Sequence, residues 1–442
     1  MMEYRHSLKS ASTTAVMLLI VLAIVVTAAS ASGKKKKAAK APAPAASQLD
    51  YSIFKWPPPP AITRVRFLDF FSAEKTDDTA KGGKKSSGWM DRVAGVSEKN
   101  DKRIPKLRFE LLTPYGMAVD SKGRLYVADG KVGAVFIFNT ETRDVELIKH
   151  GMNAEFGRIF GLAIDDNDQL LVTDGGKHHV LVFDANHKLK SQFGDAVLKD
   201  PCGIAIDSEN RFIYIADTEL DQVLVFDADT YKLLRRIGTT GKQHTLTTPG
   251  DFSKPTNVAV DQEGNLYVTD TWNDRVEVFD GEGTFIRAFG KNGDGPGDFA
   301  RPKGIAIDSD GHIWVADAML CRLQVFTPEG RLLMGMGDFG KKPGQFQALA
   351  GLAIDKNNRI FASDQFPGRV EMFRYVPNAD ARVEFERRKT EVEAQNAQES
   401  STSSAQAPAA ASPTPQKRGM KLAPPEALAG QPDKTVDPGV QK

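Results

Sequence analysis

Between residues 114 and 376, an alternation of apolar and polar positions recurs in six copies of about 42–54 residues. Each copy contains three apolar segments separated by turn residues: G-x-A-[VI], then LYV or a similar triplet, then V-x-V-F. The alternation predicts short strands, and in most copies a fourth strand follows, such as TFIRAFG at 284–290. Four antiparallel strands in a repeat of this length are typical of one β-propeller blade. We therefore predict an all-β, six-bladed propeller whose blades begin near residues 114, 160, 201, 255, 302 and 350.

Two aspartates recur in every copy, nine or ten residues apart. They could form six acidic metal or acid–base sites, but catalysis needs one site and the pattern occurs six times. Aspartate side chains accept backbone N–H bonds where strands end, so we assign both sets a structural role in turns. The first set is Asp120, Asp165, Asp207, Asp261, Asp308 and Asp355, and the second is Asp129, Asp174, Asp217, Asp270, Asp317 and Asp364.

The ends of the repeat region predict how the ring closes. The sixth copy ends at RVEMFRYVP without a fourth strand, whereas an unpaired strand candidate, TRVRFLDFF, precedes the first copy. We predict that this segment, residues 63–71, completes blade six as a latch and removes the exposed edges of an open ring. The propeller then spans residues 61–376, and residues 74–112 form an excursion between the latch and blade one.

The N-terminal residues 1–32 predict export or membrane attachment. The stretch AVMLLIVLAIVV followed by Ala-Ser-Ala at 29–31 is typical of a signal peptide, and the full uncharged stretch is just long enough for an anchor. The four lysines at 34–37 argue against easy export, because positive charge favours the cytoplasmic side. We expect an extracytoplasmic protein, periplasmic or secreted, or one tethered to the inner membrane through this segment.

Two further segments flank the repeats. Residues 33–60 are rich in Lys, Ala and Pro and are predicted to be a linker. Residues 377–442 are charged and then low in complexity, which predicts a disordered tail with a surface helix within 380–395.

One copy with its lead-in, GKNGDGPGDFARPKGIAIDSDGHIWVADAMLCRLQVFTPEG at 290–330, resembles the NHL repeat in nearly every feature. It has the G-x-x-G-x-G-P-G-x-F lead-in, the P-x-G-I-A-[IV]-D strand and the R-[LV]-x-V-F strand. The similarity extends over about residues 61–376 and implies a six-bladed propeller like those of extracytoplasmic bacterial NHL-repeat proteins. Copies one to three depart from the pattern, because Ala134, His179 and Gln222 replace the usual arginine of the third strand.

The resemblance implies the fold far more than the function. Some similar propellers bind RNA, some are sensor domains of receptor kinases, and one branch is a zinc-dependent amidating lyase. A shared fold does not choose among these activities, so the function has to be argued from the site.

The best candidate for a binding surface is the face formed by two sets of loops in each blade. These are the loop that leads into the first strand and the turn between the second and third strands; we call this the lead-in face. Loops on a rigid scaffold commonly carry function, and aromatic and arginine side chains together favour interfaces. The candidates are Tyr115, Arg158, Phe160, Lys177, Trp272, Arg275, Arg301, Lys303, Arg322, Phe366 and Arg369.

From this surface we predict a non-enzymatic protein that binds a protein or peptide partner, with no catalytic residue and no cofactor. Arg275, Arg322 and Arg369 have an alternative role, since an arginine at the start of the third strand can hydrogen-bond between blades or to a turn. The binding surface and the loop-holding role both stay open at this point.

Two other functions are alternatives to partner binding. A metal-dependent lyase or hydrolase at the channel mouth would need ligands such as His150, His178, His179 and His244, but their spacing is not that of a metal site and solvated histidines explain them equally. Binding of RNA would use the basic residues of the lead-in face. A net charge of +1, from 58 basic and 57 acidic residues, argues against nucleic acid as the partner, as does export.

Overall fold

A computed structural model describes residues 51–58, 61–73, 110–151, 153–239 and 248–404. The export segment, most of the linker, the excursion up to residue 109, His244 and the tail after residue 404 lie outside these ranges. Among the described residues, none of the helices combines the length and apolar character needed to cross a membrane.

The described residues form six blades, each an antiparallel sheet whose strands follow one another from the axis outwards. The predicted architecture is confirmed, and the first strands begin within one residue of the predicted positions. Blade 1 contains Pro114–Val119, Leu125–Asp129, Ala134–Phe138 and Val145–Lys149, and blade 2 contains Ile159–Ile164, Leu170–Asp174, His179–Phe183 and Leu189–Phe193. Blade 3 contains Pro201–Asp207, Phe212–Asp217, Gln222–Asp227 and Leu233–Ile237. Blade 4 contains Pro255–Val260, Leu266–Asp270, Arg275–Phe279 and Phe285–Phe289, and blade 5 contains Pro302–Ile307, Ile313–Asp317, Arg322–Phe326 and Leu332–Met336.

Blade 6 is closed by the predicted latch. Its first three strands are Leu349–Ile354, Arg359–Asp364 and Arg369–Tyr375, and the N-terminal strand Val65–Phe71 pairs antiparallel with the last of these. Phe67 lies opposite Phe373, and their rings meet edge to face at 5.5 Å. The ring is therefore joined by a strand from the opposite end of the chain.

The segment before the latch differs from the linker that was predicted for residues 33–60. Tyr51–Ile53 forms a 3-10 turn, and Lys55–Trp56 adds a fifth strand outside the latch. The aromatic rings of this segment cause the difference: Tyr51 packs on Phe67 at 5.1 Å, and Trp56 packs on Phe373 at 5.7 Å. The propeller thus includes residues 51–58, and the linker ends before Tyr51.

The excursion and the tail also depart from their predicted limits. At the return from the excursion, Leu111 is buried and its N–H donates to the carbonyl of Ser72, so residues 110–112 belong to the propeller. In the predicted disordered tail, Asn378–Ser404 forms a helix longer than the one expected within 380–395. Ala381 of this helix is buried and Glu384 pairs with Arg66 of the latch, which anchors the helix to blade 6.

The apolar core lies between neighbouring blades. The bulky residues of the second strands are all buried, among them Tyr214, Tyr267 and Trp314. Each first strand instead carries an alanine two positions after its glycine, or after the asparagine of blade 4. A Cβ at Gly116 or Gly351 would collide with the neighbouring blade's backbone, which explains why these positions need glycine. The close approach of six inner strands thus fixes the small residues around the axis.

Candidate functional site on the lead-in face

The second aspartate of each blade holds the lead-in face together. In blade 2, Asp174 accepts the N–H groups of Arg158 at 2.8 Å and Lys177 at 3.1 Å, so one carboxylate joins the lead-in loop to the turn after the second strand. Asp129, Asp217, Asp270, Asp317 and Asp364 likewise each accept at least one backbone N–H from the lead-in loop of their own blade. These carboxylates therefore form a rigid support beneath the loops.

The first aspartates lie on the opposite face, in the turns between the first and second strands. Asp308, for example, accepts the N–H groups of Asp310 at 2.9 Å and His312 at 3.0 Å. The other five accept backbone N–H groups in the same way: Asp120, Asp165, Asp207, Asp261 and Asp355. Both sets of aspartates thus make the bonds that a turn role requires.

At the axis of the lead-in face, one residue from each blade contributes to what we call the axial ring. Tyr115 and Cys202 are buried and in contact across the axis, with the tyrosine hydroxyl 3.7 Å from the thiol sulfur. The ring of Phe160 meets that of Tyr115 at 5.5 Å. The axial ring consists of Tyr115, Phe160, Cys202, Thr256, Lys303 and Ala350, and it closes the central channel on this face.

Lys303 brings a positive charge into the axial ring. Its Nζ lies 6.0 Å from the centroid of the Tyr115 ring, and burial lowers the pKa of its ammonium group. Burial also raises the pKa of the Cys202 thiol to about 12, so this cysteine stays protonated and unreactive. The ammonium is therefore the group of the axial ring that carries charge at neutral pH.

The rim of the lead-in face carries exposed apolar side chains on three consecutive blades. Trp272 is 63% exposed, Met319 66% and Phe366 66%, and each lies two residues after the second aspartate of its blade. We call these three residues the apolar arc. The same position in blades 1–3 holds Lys131, Gly176 and Glu219. The candidates chosen from the sequence did not include Met319, although an alignment of the six copies shows a large apolar residue at this position in blades 4–6.

Basic side chains lie beside these aromatic rings. The Arg301 guanidinium stacks over Trp272 at 5.1 Å, and that of Arg158 lies over Phe160 at 5.2 Å. Arg158 also pairs with Asp200 at 2.7 Å, while Lys177 is exposed in the adjoining turn. The structure thus brings Arg158 to Phe160 and Arg301 to Trp272, as neighbours on one face.

The arginines at the start of the third strands are placed differently. Arg275 is 6% exposed and Arg369 3%, so both guanidinium groups lie beneath the surface. Arg369 donates to the backbone carbonyls of Lys341 and Gln345 at 2.7 and 2.6 Å, and Arg322, which is half-buried, donates to the carbonyl of Asp294 at 2.6 Å. In this arrangement the three arginines hold lead-in loops, which is the alternative role that the sequence left open.

The histidines of the weaker metal alternative bond to separate partners. The Nδ1 of His150 accepts the N–H of Phe156 at 3.0 Å, His179 contacts Asp195 at 3.1 Å, and His178 contacts the carbonyl of Lys199. In the part of the chain that the structure describes, no three His, Cys, Asp or Glu side chains are grouped in a way that could hold a metal ion.

The central channel opens on the face opposite the axial ring. Its cavity of about 890 Å³ is lined by the first strands and has a charged rim that includes Lys122, Asp166 and Arg374. At the closed end, the glycine at the third position of five first strands is replaced in blade 4 by Asn257. The channel and the lead-in face are therefore separate surfaces.

Comparisons with known proteins agree with this architecture. The NHL repeat model matches residues 156–183, and a family described as a 6-bladed beta-propeller matches residues 246–323. No curated protein matches the chain.

Solved structures with the same fold are distant in sequence. A protein of unknown function from Bacteroides thetaiotaomicron is 14% identical with a TM-score of 0.50, over 60% of this chain and 70% of that one. A streptogramin B lyase is 12% identical with a TM-score of 0.46, over 60% and 94% of the two chains. A gluconolactonase from Xanthomonas campestris is 19% identical with a TM-score of 0.47, over 61% and 90%. At such identities no activity carries over to this chain.

Proposed function

Since this chain is a six-bladed β-propeller with NHL repeats, we propose that it is a non-enzymatic binding protein that holds a protein or peptide partner on its lead-in face. The observation that carries the proposal is the apolar arc, because Trp272, Met319 and Phe366 are exposed on adjacent blades above buried, hydrogen-bonded turns. Large apolar side chains exposed on one face, with a polar border, are characteristic of an interaction surface.

The neighbouring cations support a polar border of this kind. Arg301 stacks on Trp272 and Arg158 stacks on Phe160, so each guanidinium is pre-positioned beside an aromatic ring. Aromatic and arginine side chains held in place in this way bind a partner with little loss of conformational freedom. The aspartate-anchored turns beneath them add to this pre-organisation.

The test compares matched positions in the two halves of the ring. The triple variant Trp272→Ser, Met319→Ser, Phe366→Ser removes the apolar arc, and the control Lys131→Ser, Glu219→Ser changes the same position in blades 1 and 3. Photo-crosslinking of the full chain in its own cells should give a partner band that the triple variant loses and the control keeps. An unchanged band in the triple variant, with an unchanged melting temperature, would contradict the proposal.

We propose further that this binding takes place outside the cytoplasm, with the N-terminal segment exporting or tethering the propeller. The support is the apolar run followed by small residues at 29–31. Cell fractionation with N-terminal sequencing of the mature protein tests it. A new N-terminus after residue 31 indicates a cleaved signal, a retained N-terminus in the membrane fraction indicates an anchor, and recovery of the intact chain from the cytoplasm would refute export.

A further inference from the structure

The Lys303 ammonium is a cation without an anionic partner. Within the described residues it makes no ion pair with an Asp or Glu side chain, and its nearest described aromatic contact is the Tyr115 ring at 6.0 Å. Burial of a charge is unfavourable unless it is paired, so such a group is normally accompanied by a counter-ion. An ammonium at the axis of an open face is accessible to a counter-ion that comes from outside the chain.

The surroundings of Lys303 suit a carboxylate. The Tyr115 hydroxyl, kept protonated because burial raises its pKa well above the ordinary value, is a hydrogen-bond donor. The Thr256 hydroxyl donates to that of Thr271 at 2.6 Å, because Thr271 gives its own proton to the Pro302 carbonyl, so Thr256 has no proton left for a ligand. Asp200, the nearby acid, is already paired with Arg158 and accepts the Thr218 hydroxyl, both at 2.7 Å. The axial ring therefore combines one cation with a neutral donor, the Tyr115 hydroxyl.

The ammonium is also connected to the apolar arc. The Thr269 and Thr271 hydroxyls donate to the carbonyls of Lys303 at 2.8 Å and Pro302 at 2.7 Å, which ties the Lys303 strand to the turn that carries Trp272. Arg301, two residues before Lys303, stacks on Trp272. One bound peptide could thus contact the arc with apolar side chains and the axis with an acidic group.

From this geometry we infer that the axial ring is a carboxylate subsite, in which Lys303, with the hydroxyl of Tyr115, receives a carboxylate of the bound peptide. The inference rests on the proposed function, because it describes how the same partner is recognised. The carboxylate has two sources with the same chemistry: the C-terminus of a peptide or an acidic side chain. Charge-assisted hydrogen bonds of this kind give specificity beyond that of the apolar contacts.

The experiment uses three pools of N-acetylated random hexapeptides on the immobilised full chain, with the retained peptides quantified by mass spectrometry. The first pool has a free C-terminus without Asp or Glu, the second is amidated and contains one Asp or Glu per peptide, and the third is amidated without either. We expect the chain to retain the first or the second pool at least tenfold more than the third. Which of the two is retained identifies the source of the carboxylate.

Variants then assign the preference to Lys303. Lys303→Met should abolish the preference, Lys303→Arg should keep it because the charge remains, and Lys131→Met, which removes an exposed lysine of the same face, should leave it unchanged. Equal retention of all three pools by the wild-type chain would overturn the inference without any substitution, as would a preference that persists in Lys303→Met.

The arc variant separates this inference from the proposed function. The wild-type chain could retain all three pools equally while the triple variant retains none. In that case the subsite is wrong and the binding face stands. If no pool is retained above the level of a denatured control, the subsite is wrong, and the crosslinked band of the triple variant decides the binding face separately.

Discussion

Blades 4–6 and blades 1–3 share one backbone plan but anchor their lead-in loops by different means. The third strands of blades 4–6 begin with arginine and carry Glu or Gln two residues later: Arg275 and Glu277, Arg322 and Gln324, Arg369 and Glu371. The corresponding pairs in blades 1–3 are Ala134 and Phe136, His179 and Leu181, Gln222 and Leu224. At these two positions, each of blades 4–6 thus has two polar residues, whereas each of blades 1–3 has at least one apolar residue.

The polar pairs hold loops that are longer. The lead-in segments 238–254, 290–301 and 337–348 of blades 4–6 exceed the segments 150–158 and 194–200 of blades 2 and 3. In blade 6, Glu371 accepts the N–H of Gly344 at 2.7 Å and pairs with Arg369 at 2.6 Å. A long loop leaves backbone groups that the strands cannot satisfy, and the buried pair supplies their partners. The half with the anchored loops is also the half that carries the apolar arc.

The largest effect is expected where the two halves meet at the latch. Arg143 of blade 1 donates to the Phe70 carbonyl at 2.9 Å and lies over the Phe71 ring at 4.4 Å, so the latch bonds blade 6 and contacts blade 1. Deletion of residues 61–72 removes this strand and exposes the edge of blade 6. The loss should exceed the whole stability of a typical domain, about 5–15 kcal/mol, and leave insoluble protein. A soluble product that melts cooperatively would show that the latch is dispensable.

A smaller loss is expected when the polar pair of blade 6 is broken. Arg369→Met leaves the buried Glu371 carboxyl without its cation and should cost about 3 kcal/mol, at the lower end for a broken buried pair because the carboxyl can take up a proton. Urea denaturation at pH 9, above the pKa of Glu371 that burial raises to about 8, measures the change in the free energy of unfolding for the ionised pair. The matched control in blade 3 is Gln222→Met, which removes a bond of 3.2 Å to the Gly238 carbonyl and should cost about 1 kcal/mol.

A double variant converts blade 6 to the type of blade 3. Arg369→Gln with Glu371→Leu reproduces the pair Gln222 and Leu224, and removing both charges should restore at least half of the stability lost in Arg369→Met. A double variant as unstable as the single one would show that the loop, and not the unpaired charge, determines the cost.

The polar pairs also predict a pH dependence confined to blades 4 and 6. Burial raises the pKa of Glu277 to about 7 and that of Glu371 further, against the opposing effect of their arginines. The folded state then binds more protons than the unfolded state, so this contribution is complete below the ordinary pKa of about 4.5 and is lost as pH rises through the folded values. The double variant Glu277→Gln, Glu371→Gln should differ from the wild type by a constant offset in melting temperature near pH 5. Towards pH 9 the melting temperature of the wild type should fall faster than that of the variant. Parallel curves across this range would contradict the assignment.

Much of the fold could be predicted because its elements recur. Six copies indicated the position of each strand and the absent fourth strand of blade 6, which identified the latch. Residues 51–58 have no second copy, so nothing in the pattern distinguished their aromatic side chains from the proline-rich linker around them. The blades could be predicted because they recur, and the fifth strand could not because it occurs once.

The site was less predictable than the fold. The register of the first strands placed Tyr115, Phe160 and Lys303 together, yet the sequence did not indicate that they pack across the axis. For Arg275 and Arg369 it left two roles open, although Glu277 and Glu371 two residues later lie on the same side of the strand and indicate a buried pair. Such contacts depend on side-chain direction, which a list of exposed residue types does not contain.

The smallest loss of stability is expected in blade 5, where the pair consists of a charged arginine and a neutral glutamine. Arg322 is half-buried and donates to the Asp294 carbonyl, while Gln324 accepts the Gly297 N–H at 3.0 Å and donates to the Asp298 carbonyl at 2.7 Å without needing a charge. Arg322→Met removes a bond to the Asp294 carbonyl and a longer one to the Gly295 carbonyl but leaves no buried charge unpaired, so it should cost about 1 kcal/mol, well below the cost of Arg369→Met. Both variants belong in one urea series. Equal losses would mean that loop contacts stabilise these blades, whereas a threefold difference would mean that the buried carboxyl sets the cost.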